Sequence, residues 1–187
     1  MPNGELLKGL ESDLRIVSNQ VANMRQELSE AALVWRPEPK AWSIAEVLGH
    51  LHTTNALYLP KLDEAMERAS RRPSAARQPF RPRTLAGWFV KVAGPQSEKR
   101  LKAPGRFKPT EGDASPGMVD RFLDQQIALS GRVEAAKDCD LNKPRFGSPI
   151  TPLIRLSVGE CLLLLVRHEQ RHIQQVKRVR DAEGFPR

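Results

Sequence analysis

Apolar residues in this chain recur at steps of three and four, the spacing that places side chains on one face of an α-helix. The pattern occurs in four stretches, which begin near Leu7, Ser43, Ser115 and Ser157. No stretch alternates with the period of two that is typical of a half-buried strand. The chain has 187 residues, enough for one domain with its own core. We therefore expect a single all-α domain over residues 1–187, folded as a four-helix bundle.

Capping residues and prolines mark where the helices begin and end. The first helix is predicted from Leu7 to Leu28 and ends before the Pro37 and Pro39 pair, because proline lacks a backbone donor. The second is predicted to begin at a capping box, in which a serine and a glutamate three residues later bond each other's backbone N–H. This box is Ser43 with Glu46. A second box, Ser157 with Glu160, begins the fourth helix, whereas Ser115-Pro116 begins the third.

A long basic connector, residues 71–114, joins the second and third predicted helices. Residues 71–108 hold 11 lysines and arginines and one acidic residue, Glu98, whereas the whole chain has a formal charge of +8. Only Thr84–Ala93 in this connector has the pattern of a short helix. A long link allows parallel neighbours, so we expect an up-down-down-up bundle with its crossover here. The basic charge could meet phosphates, an acidic ligand or a partner, but a solvated loop is the simpler interpretation.

Several classes of protein are excluded by what the sequence lacks. The longest apolar run, Cys161–Val166, has six residues, whereas a membrane-spanning helix needs about 20. Aromatic residues are only 5 % of the chain and no nucleic-acid-binding signature occurs, so we do not expect nucleic acid as a partner. The N-terminal stretch lacks an apolar signal core, and Cys139 and Cys161 form no CxxC pair. We expect reduced thiols, no membrane partner and a cytoplasmic location.

Two histidines on the last predicted helix point to a metal site. His168 and His172 are four residues apart, about one helical turn, so their rings lie on one face. They fall inside the apolar stripe, between Leu165 and Val176, and therefore point into the bundle. Unsatisfied buried polar groups cost about 1–3 kcal/mol each, and a shared divalent ion would satisfy both rings. The alternative is a hydrogen-bonded histidine pair without metal.

The same residues, His168–His172, spell HExxH, the sequence of many zinc proteases. The extended protease motif needs glycine and a third histidine further on, where this chain has Gln175 and Arg178. The third ligand must therefore come from upstream, and the second helix is the only source, with His50 and His52. On a helical wheel His52 lies slightly closer to the centre of the apolar stripe, although either could serve.

The two histidine-bearing segments, taken together, resemble the DinB-like superfamily of metal-binding bundles. The resemblance is carried by Trp42–Leu51, preceded by Trp35-Arg36-Pro37, and by the late motif His168-Glu169-x-x-His172-x-x-Gln175. The Phe146–Pro149 loop before the last helix adds to it. The resemblance covers nearly the whole chain. It implies an up-down-down-up bundle with a long crossover, in agreement with the loop lengths.

The resemblance also implies a three-histidine site. The histidine directly before leucine in the first motif corresponds to His50, so the implied ligands are His50, His168 and His172, with His52 in reserve. Three imidazoles suit a divalent ion, zinc or nickel being the most expected, and leave positions open for water or substrate. Glu169 is a candidate general base or acceptor for a histidine N–H, and a salt bridge to an arginine is the alternative.

Family members with an assigned activity are thiol-dependent transferases or isomerases that use low-molecular-weight thiols, and homodimers are common among them. We therefore expect a metal-dependent enzyme, a thiol transferase or hydrolase, that acts on a small molecule and forms a homodimer. The alternative is a non-enzymatic bundle that binds metal or dimerises.

Other polar and aromatic residues carry weaker expectations. Asn55 and Tyr58 lie one to two turns beyond His50 and could line the open side of the site, and Asn55 is unusual in an apolar stripe. Cys161 is expected in the core. The tryptophans are expected to pack at the ends of the bundle; they are Trp35, Trp42 and Trp88.

Overall fold

Four long helices form the protein, and the all-α bundle expected from the sequence is confirmed. The computed structural model describes residues 1–71, 78–97 and 103–186. Two short helices and a two-stranded sheet accompany the long helices within these residues. The helices are α1 (Asn3–Glu27), α2 (Glu30–Val34), α3 (Ile44–Ser70), α4 (Thr84–Ala93), α5 (Met118–Ala135) and α6 (Val158–Arg180); the strands are β1 (Arg145–Gly147) and β2 (Arg155–Ser157).

Pairs of contacts between helices give their directions. From α5 to α3, Gln125 Nε2 donates to the carbonyl of His52 at 3.1 Å and Arg132 Nε donates to Asp63 Oδ1 at 2.7 Å. Residue numbers rise together along both helices, so α3 and α5 are parallel. The helix pairs in contact include α3 with α6, α1 with α5 and α1 with α6. Ion pairs of Arg25 with Asp120 and of Glu11 with Lys137 show that α1 and α5 are antiparallel, and the pair of Glu27 with Arg180 shows that α1 and α6 are parallel. The order is therefore up-down-down-up, and the connector makes the crossover between the parallel helices.

Both predicted capping boxes are present. Ser43 Oγ accepts from the Glu46 N–H at 3.2 Å, and Glu46 Oε2 accepts from the Ser43 N–H at 2.9 Å. At α6 the same exchange joins Ser157 and Glu160 at 3.3 and 2.9 Å. Each glutamate is buried and also binds an arginine: Arg36 Nε donates to Glu46 Oε2 at 2.8 Å. The start of the site-bearing helices is therefore held by hydrogen bonds that the local sequence encodes.

Three details of the sequence-based prediction are wrong. The helix predicted to start at Ser115-Pro116 starts at Met118. The Ser115 hydroxyl does not cap this helix, because it donates to the Gly112 carbonyl. Two strands exist where none was expected, because three residues each are too few to show alternation. Trp88 is 53 % exposed on α4 rather than packed at a bundle end.

The described parts of the connector pack on the bundle through apolar residues, while their basic side chains face solvent. Phe80 and Phe107 are buried, and Arg81 and Lys108 are exposed. The prediction of a solvated loop is therefore correct for the basic side chains of these described parts, whereas their backbone packs on the bundle. Residues 72–77 and 98–102, which carry much of the predicted basic charge, lie outside the described residues.

Two glycines allow the connector to approach the long helices closely. A Cβ on Gly49 of α3 would lie 2.4 Å from the Cβ of Asp113, which belongs to a 3-10 turn at Glu111–Asp113. A Cβ on Gly159 of α6 would lie 2.6 Å from the ring of Phe80. Both contacts are too short for any side chain. The connector is thereby brought against α3 directly beside His50.

Candidate metal centre

Three histidines from two helices come together between α3 and α6. His168 and His172 are one turn apart on α6, and their Nε2 atoms are 3.1 Å apart. His50 of α3 brings its Nε2 to 3.4 Å from that of His168. One ring nitrogen from each of the three lies within 4.8 Å of the other two. The sequence-predicted set of His50, His168 and His172 is therefore a spatial cluster, and its role as a ligand set remains a proposal.

The outer nitrogens of two rings are held by acceptors. His50 Nδ1 lies 2.5 Å from the main-chain carbonyl of Phe107, and His172 Nδ1 lies 2.9 Å from Gln175 Oε1. Because both partners only accept, the proton of each ring is on Nδ1 and the lone pair is on Nε2. A proton on His168 Nε2 could satisfy one of these lone pairs but not both. The centre of the cluster therefore has more nitrogen lone pairs than hydrogen-bond donors.

Two of the three separations between the ring nitrogens match those of ligands on one divalent ion, and the third is within 4.8 Å. Ligand nitrogens at about 2.0–2.1 Å from an ion lie about 2.8–3.0 Å apart in octahedral geometry and about 3.3–3.4 Å apart in tetrahedral geometry. The two Nε2 separations, 3.1 and 3.4 Å, lie within or close to these values. The hydrogen bonds on Nδ1 are the outer contacts that orient histidine ligands in metal sites. The donor set thus suits zinc, nickel or a similar ion, with positions left for further ligands.

Burial keeps the three rings neutral. Desolvation is the largest cause of a lowered pKa at His50, His168 and His172, and the bond to Phe107 opposes it at His50. The pKa of His172 falls to about 3, with the charge of a protonated His50 as the second cause. Neutral imidazole is the form that binds a metal ion, so the rings are in the required state at neutral pH.

Trp42 covers one side of the cluster. Its ring lies 5.1 Å from the His50 ring at 40° and 6.5 Å from the His172 ring at 28°, measured between centroids. Trp42 therefore packs on the site itself rather than only at a bundle end, while Trp35 packs edge-on against Phe185 at 5.6 Å. His50 is 5 % exposed, whereas His168 and His172 are only half-buried. The open side of the cluster therefore lies along α6.

His52 lies outside the cluster. It is half-buried, and burial lowers its pKa, with the charge of Arg121 acting in the same direction and that of Asp113 opposing it. The helical wheel preferred this residue because it took the apolar stripe as the core face. In fact every residue from Ile44 to Leu51 is buried, since the connector covers the outer side of α3 there. His50 is buried between the connector and α6. The apolar stripe of α3 does not predict burial at this position.

Glu169 lies in a separate polar cluster of the core. It is fully buried, and its Oε1 accepts hydrogen bonds from Asn55 Nδ2 and Gln126 Nε2, each at 2.8 Å. Its Oε2 and the Gln126 Oε1 are buried without a partner within the described residues. Desolvation raises the pKa of Glu169 to about 7, against the two amide bonds that lower it. The described contacts include neither a histidine N–H nor an arginine on this carboxylate.

Tyr58 and Cys161 lie deeper in the bundle. The Tyr58 hydroxyl is 2.6 Å from Ser148 Oγ, in the loop between β1 and β2, and burial raises its pKa. Cys161 is buried, and desolvation raises the pKa of its thiol. Both residues are therefore neutral at physiological pH, and the expectation that Cys161 belongs to the core is confirmed.

Two contributors to the site have no clear signal in the sequence. The Phe107 carbonyl belongs to the main chain, so residue type says nothing about it. The role of Trp42 as a cover follows only from the position of α3 relative to the loop before it. Gln126, by contrast, is a polar residue within the apolar stripe of α5, the same signal that drew attention to Asn55.

Two comparisons with known proteins find a match to this chain. The family model described as the DinB superfamily matches residues 16–176, a range that contains all three clustered histidines. An uncharacterized protein of Bacillus subtilis (strain 168), YuaE, is 25 % identical over 160 residues, which are 85 % of this chain and 90 % of that protein. No solved structure matches the chain. No helix in the described part of the chain is long and apolar enough to cross a membrane.

Proposed function

Because this chain belongs to the DinB superfamily, we propose that it is a metal-dependent enzyme that acts on a small molecule. His50, His168 and His172 bind one divalent ion, zinc or nickel, through their Nε2 atoms. The observation that carries this proposal is the convergence of three Nε2 atoms, two of which have their lone pairs fixed by hydrogen bonds on Nδ1.

A divalent ion with three imidazole ligands lowers the pKa of a bound water or low-molecular-weight thiol and so supplies a nucleophile at neutral pH. The protein's own part is to hold the rings neutral and oriented. Phe107 and Gln175 orient two of them, and Trp42 excludes water from one side. The reaction class is transfer of a thiol to, or hydrolysis of, a small electrophile.

Glu169 is kept only as the proton acceptor that the sequence suggested, since its carboxylate is fully buried in the separate polar cluster and no described contact joins it to a histidine. Its pKa of about 7 matches the value that suits a general base at neutral pH. One of its oxygens, Oε2, has no hydrogen-bond partner in the described residues and is available for a proton. The amides of Asn55 and Gln126 hold the other oxygen.

The metal proposal is tested by elemental analysis of purified protein after loading with zinc or nickel and removal of free ion. We expect about one ion per chain in wild-type protein and in His52→Ala, and none retained in His168→Ala. His52→Ala is the matched control, because it removes an imidazole from α3 outside the cluster. Equal metal content in wild type and His168→Ala would contradict the proposal.

The open coordination position is tested with cobalt in place of the native ion. A thiol that binds cobalt directly gives a sulfur-to-metal charge-transfer band, which we expect when a low-molecular-weight thiol is added. The second candidate function, a bundle in which the metal is purely structural, predicts a closed coordination shell and no such band. The half-buried state of His168 and His172 favours the open site.

We also propose that the chain acts as a cytoplasmic homodimer. Exposed isoleucines support self-association: Ile127 of α5 is 74 % exposed and Ile16 of α1 is 50 % exposed. These two helices pack against each other, and large apolar side chains on a surface favour burial in an interface. Sedimentation equilibrium decides the oligomeric state, and a monomer at all concentrations would contradict this part of the proposal.

A further inference from the structure

The outer face of α4 carries large apolar side chains, although this helix already packs on the bundle by its other face. Phe89 and Val90 are buried, and α6 is the helix on which α4 packs. On the opposite side Leu85 is 56 % exposed and Trp88 is 53 % exposed. These two residues are three apart, so their side chains are neighbours on one helical face. Helix α4 therefore presents apolar surface to solvent as well as to the core.

Positive charge surrounds this exposed apolar pair. Lys91 follows Trp88 by three residues on the same face of α4, Arg83 directly precedes the helix, and both are exposed, as is Arg81. Residues 71–97 contain six lysines and arginines and neither aspartate nor glutamate. The outer face of α4 thus combines two large apolar side chains with a net positive charge.

The helix beneath α4 adds no exposed negative charge to this face. The first half of α6 runs alongside α4, since the Arg83 N–H donates to Glu160 Oε1 at 2.6 Å and Arg171 Nη1 donates to the Val92 carbonyl at 3.0 Å. The acidic residues that follow α6 begin at Asp181, ten residues beyond Arg171 and therefore about 15 Å further along the axis. Both carboxylates within α6 are fully buried: Glu160 and Glu169.

The small size of the apolar patch favours a lipid surface over a protein as its partner. A specific protein interface buries roughly 800 Å² on each side, far more than two half-exposed side chains offer. An anionic bilayer needs no matching shape, because lysine and arginine are attracted to its headgroups while tryptophan and leucine enter the boundary between headgroups and acyl chains. Single-stranded nucleic acid would use the charges and stack on Trp88, but it would offer Leu85 little apolar surface.

We propose that the outer face of α4 docks on a membrane surface rich in anionic phospholipid. Leu85 and Trp88 enter the headgroup region, and Arg83 and Lys91 bind the anionic headgroups. The contact is peripheral, because no helix among the described residues is long and apolar enough to span a bilayer. It differs from the expectation of no membrane partner, which considered only a membrane-spanning helix. The cytoplasmic leaflet carries anionic lipids, so this contact agrees with the proposed cytoplasmic location.

The test is sedimentation of the full-length protein with vesicles of phosphatidylcholine alone or of phosphatidylcholine and phosphatidylserine in equal amounts. We expect binding only to the vesicles that contain phosphatidylserine. Trp88→Ala should weaken this binding about five- to ten-fold, because a large apolar contact is lost. Lys91→Gln should weaken it about three- to five-fold, because one charge near the surface is lost. Salt at about 1 M, where the Debye length is about 3 Å, should weaken the binding of wild-type protein steeply.

Lys61→Gln is the matched control, because it removes one exposed positive charge from α3 and should leave binding unchanged. Lys91→Gln changes an exposed side chain, so it tests the proposal even where Trp88→Ala fails to fold. Equal binding of wild-type protein to both kinds of vesicle, or to neither, overturns the inference. So does an equal loss in Lys61→Gln and Lys91→Gln. Binding to an oligonucleotide but not to the vesicles would assign the face to nucleic acid and overturn the inference as well; the metal site stands in every case.

Discussion

Two buried polar clusters lie side by side between α3 and α6, and they satisfy their polar atoms in opposite ways. In the histidine cluster, hydrogen bonds occupy the outer nitrogens and leave lone pairs turned to a common centre. In the Glu169 cluster, two amide donors turn towards one carboxylate oxygen. The first arrangement needs a cation from outside, whereas the second supplies two donors to one carboxylate oxygen and leaves Glu169 Oε2 without a partner in the described residues. Neighbouring residues, His168 and Glu169, thus belong to sites with different chemistry.

The largest expected difference between the clusters is in their response to metal. Zinc at about 1,000 times its dissociation constant should raise the free energy of unfolding of the wild-type protein by about 4 kcal/mol. The same zinc should leave His168→Ala unchanged. Chemical denaturation with and without zinc measures both values, and a similar gain in the variant would place the stabilising ion elsewhere.

Glu169→Gln should show how far the buried carboxylate of the second cluster lowers the free energy of unfolding. Burial raises the pKa of Glu169 from 4.5 to about 7, so the folded state binds this proton more tightly than the unfolded state. The free energy of unfolding of the metal-free protein therefore falls as the pH rises from 4.5, and this fall is complete above about 7. The variant should therefore be more stable than wild type by up to about 3 kcal/mol at alkaline pH, with a much smaller difference near pH 4.5.

Denaturation of metal-free protein at several pH values measures this difference. A stability gap between Glu169→Gln and wild type that stays constant with pH would show that the carboxyl group does not titrate as its surroundings require.

Asn55→Leu should be the next largest change. It removes one of two donors to the Glu169 carboxylate and should cost about 1–3 kcal/mol of stability, because a buried acceptor loses its partner. Metal affinity should stay near the wild-type value if the clusters are independent. Calorimetric titration with metal checks this. A large loss of metal affinity would show that the two clusters act as one site.

Gln175→Leu should have the smallest effect, and only on the first cluster. Without the acceptor on Nδ1, the His172 ring loses its fixed tautomer and orientation. We expect about a 10-fold weaker metal affinity, at the lower end of the range for outer contacts of metal ligands. Gln174→Leu, an exposed neighbour on α6, is the control. Nitrogen NMR shifts of the metal-free protein report the tautomer directly, and unchanged His172 shifts would argue against the role of Gln175.

The sequence was informative where a local pattern has a local cause. The capping boxes at Ser43 and Ser157 form as predicted, since each requires only four consecutive residues. The strands of residues 145–147 and 155–157 were missed because their pairing depends on a loop closing between them. Asn55 drew attention as a polar residue in an apolar stripe and was expected to line the open side of the site; in the structure its amide donates to Glu169, a partner that the stripe could not identify.

The residues themselves determined the helices, their caps and the pairing of His168 with His172, because contacts within one or two turns depend on spacing along the chain. Tertiary structure decided which histidine of α3 joins that pair. The choice between His50 and His52 depends on the connector, which packs against Gly49 and places the Phe107 carbonyl on His50. Those contacts join residues more than 50 positions apart, and no periodicity within one helix contains them.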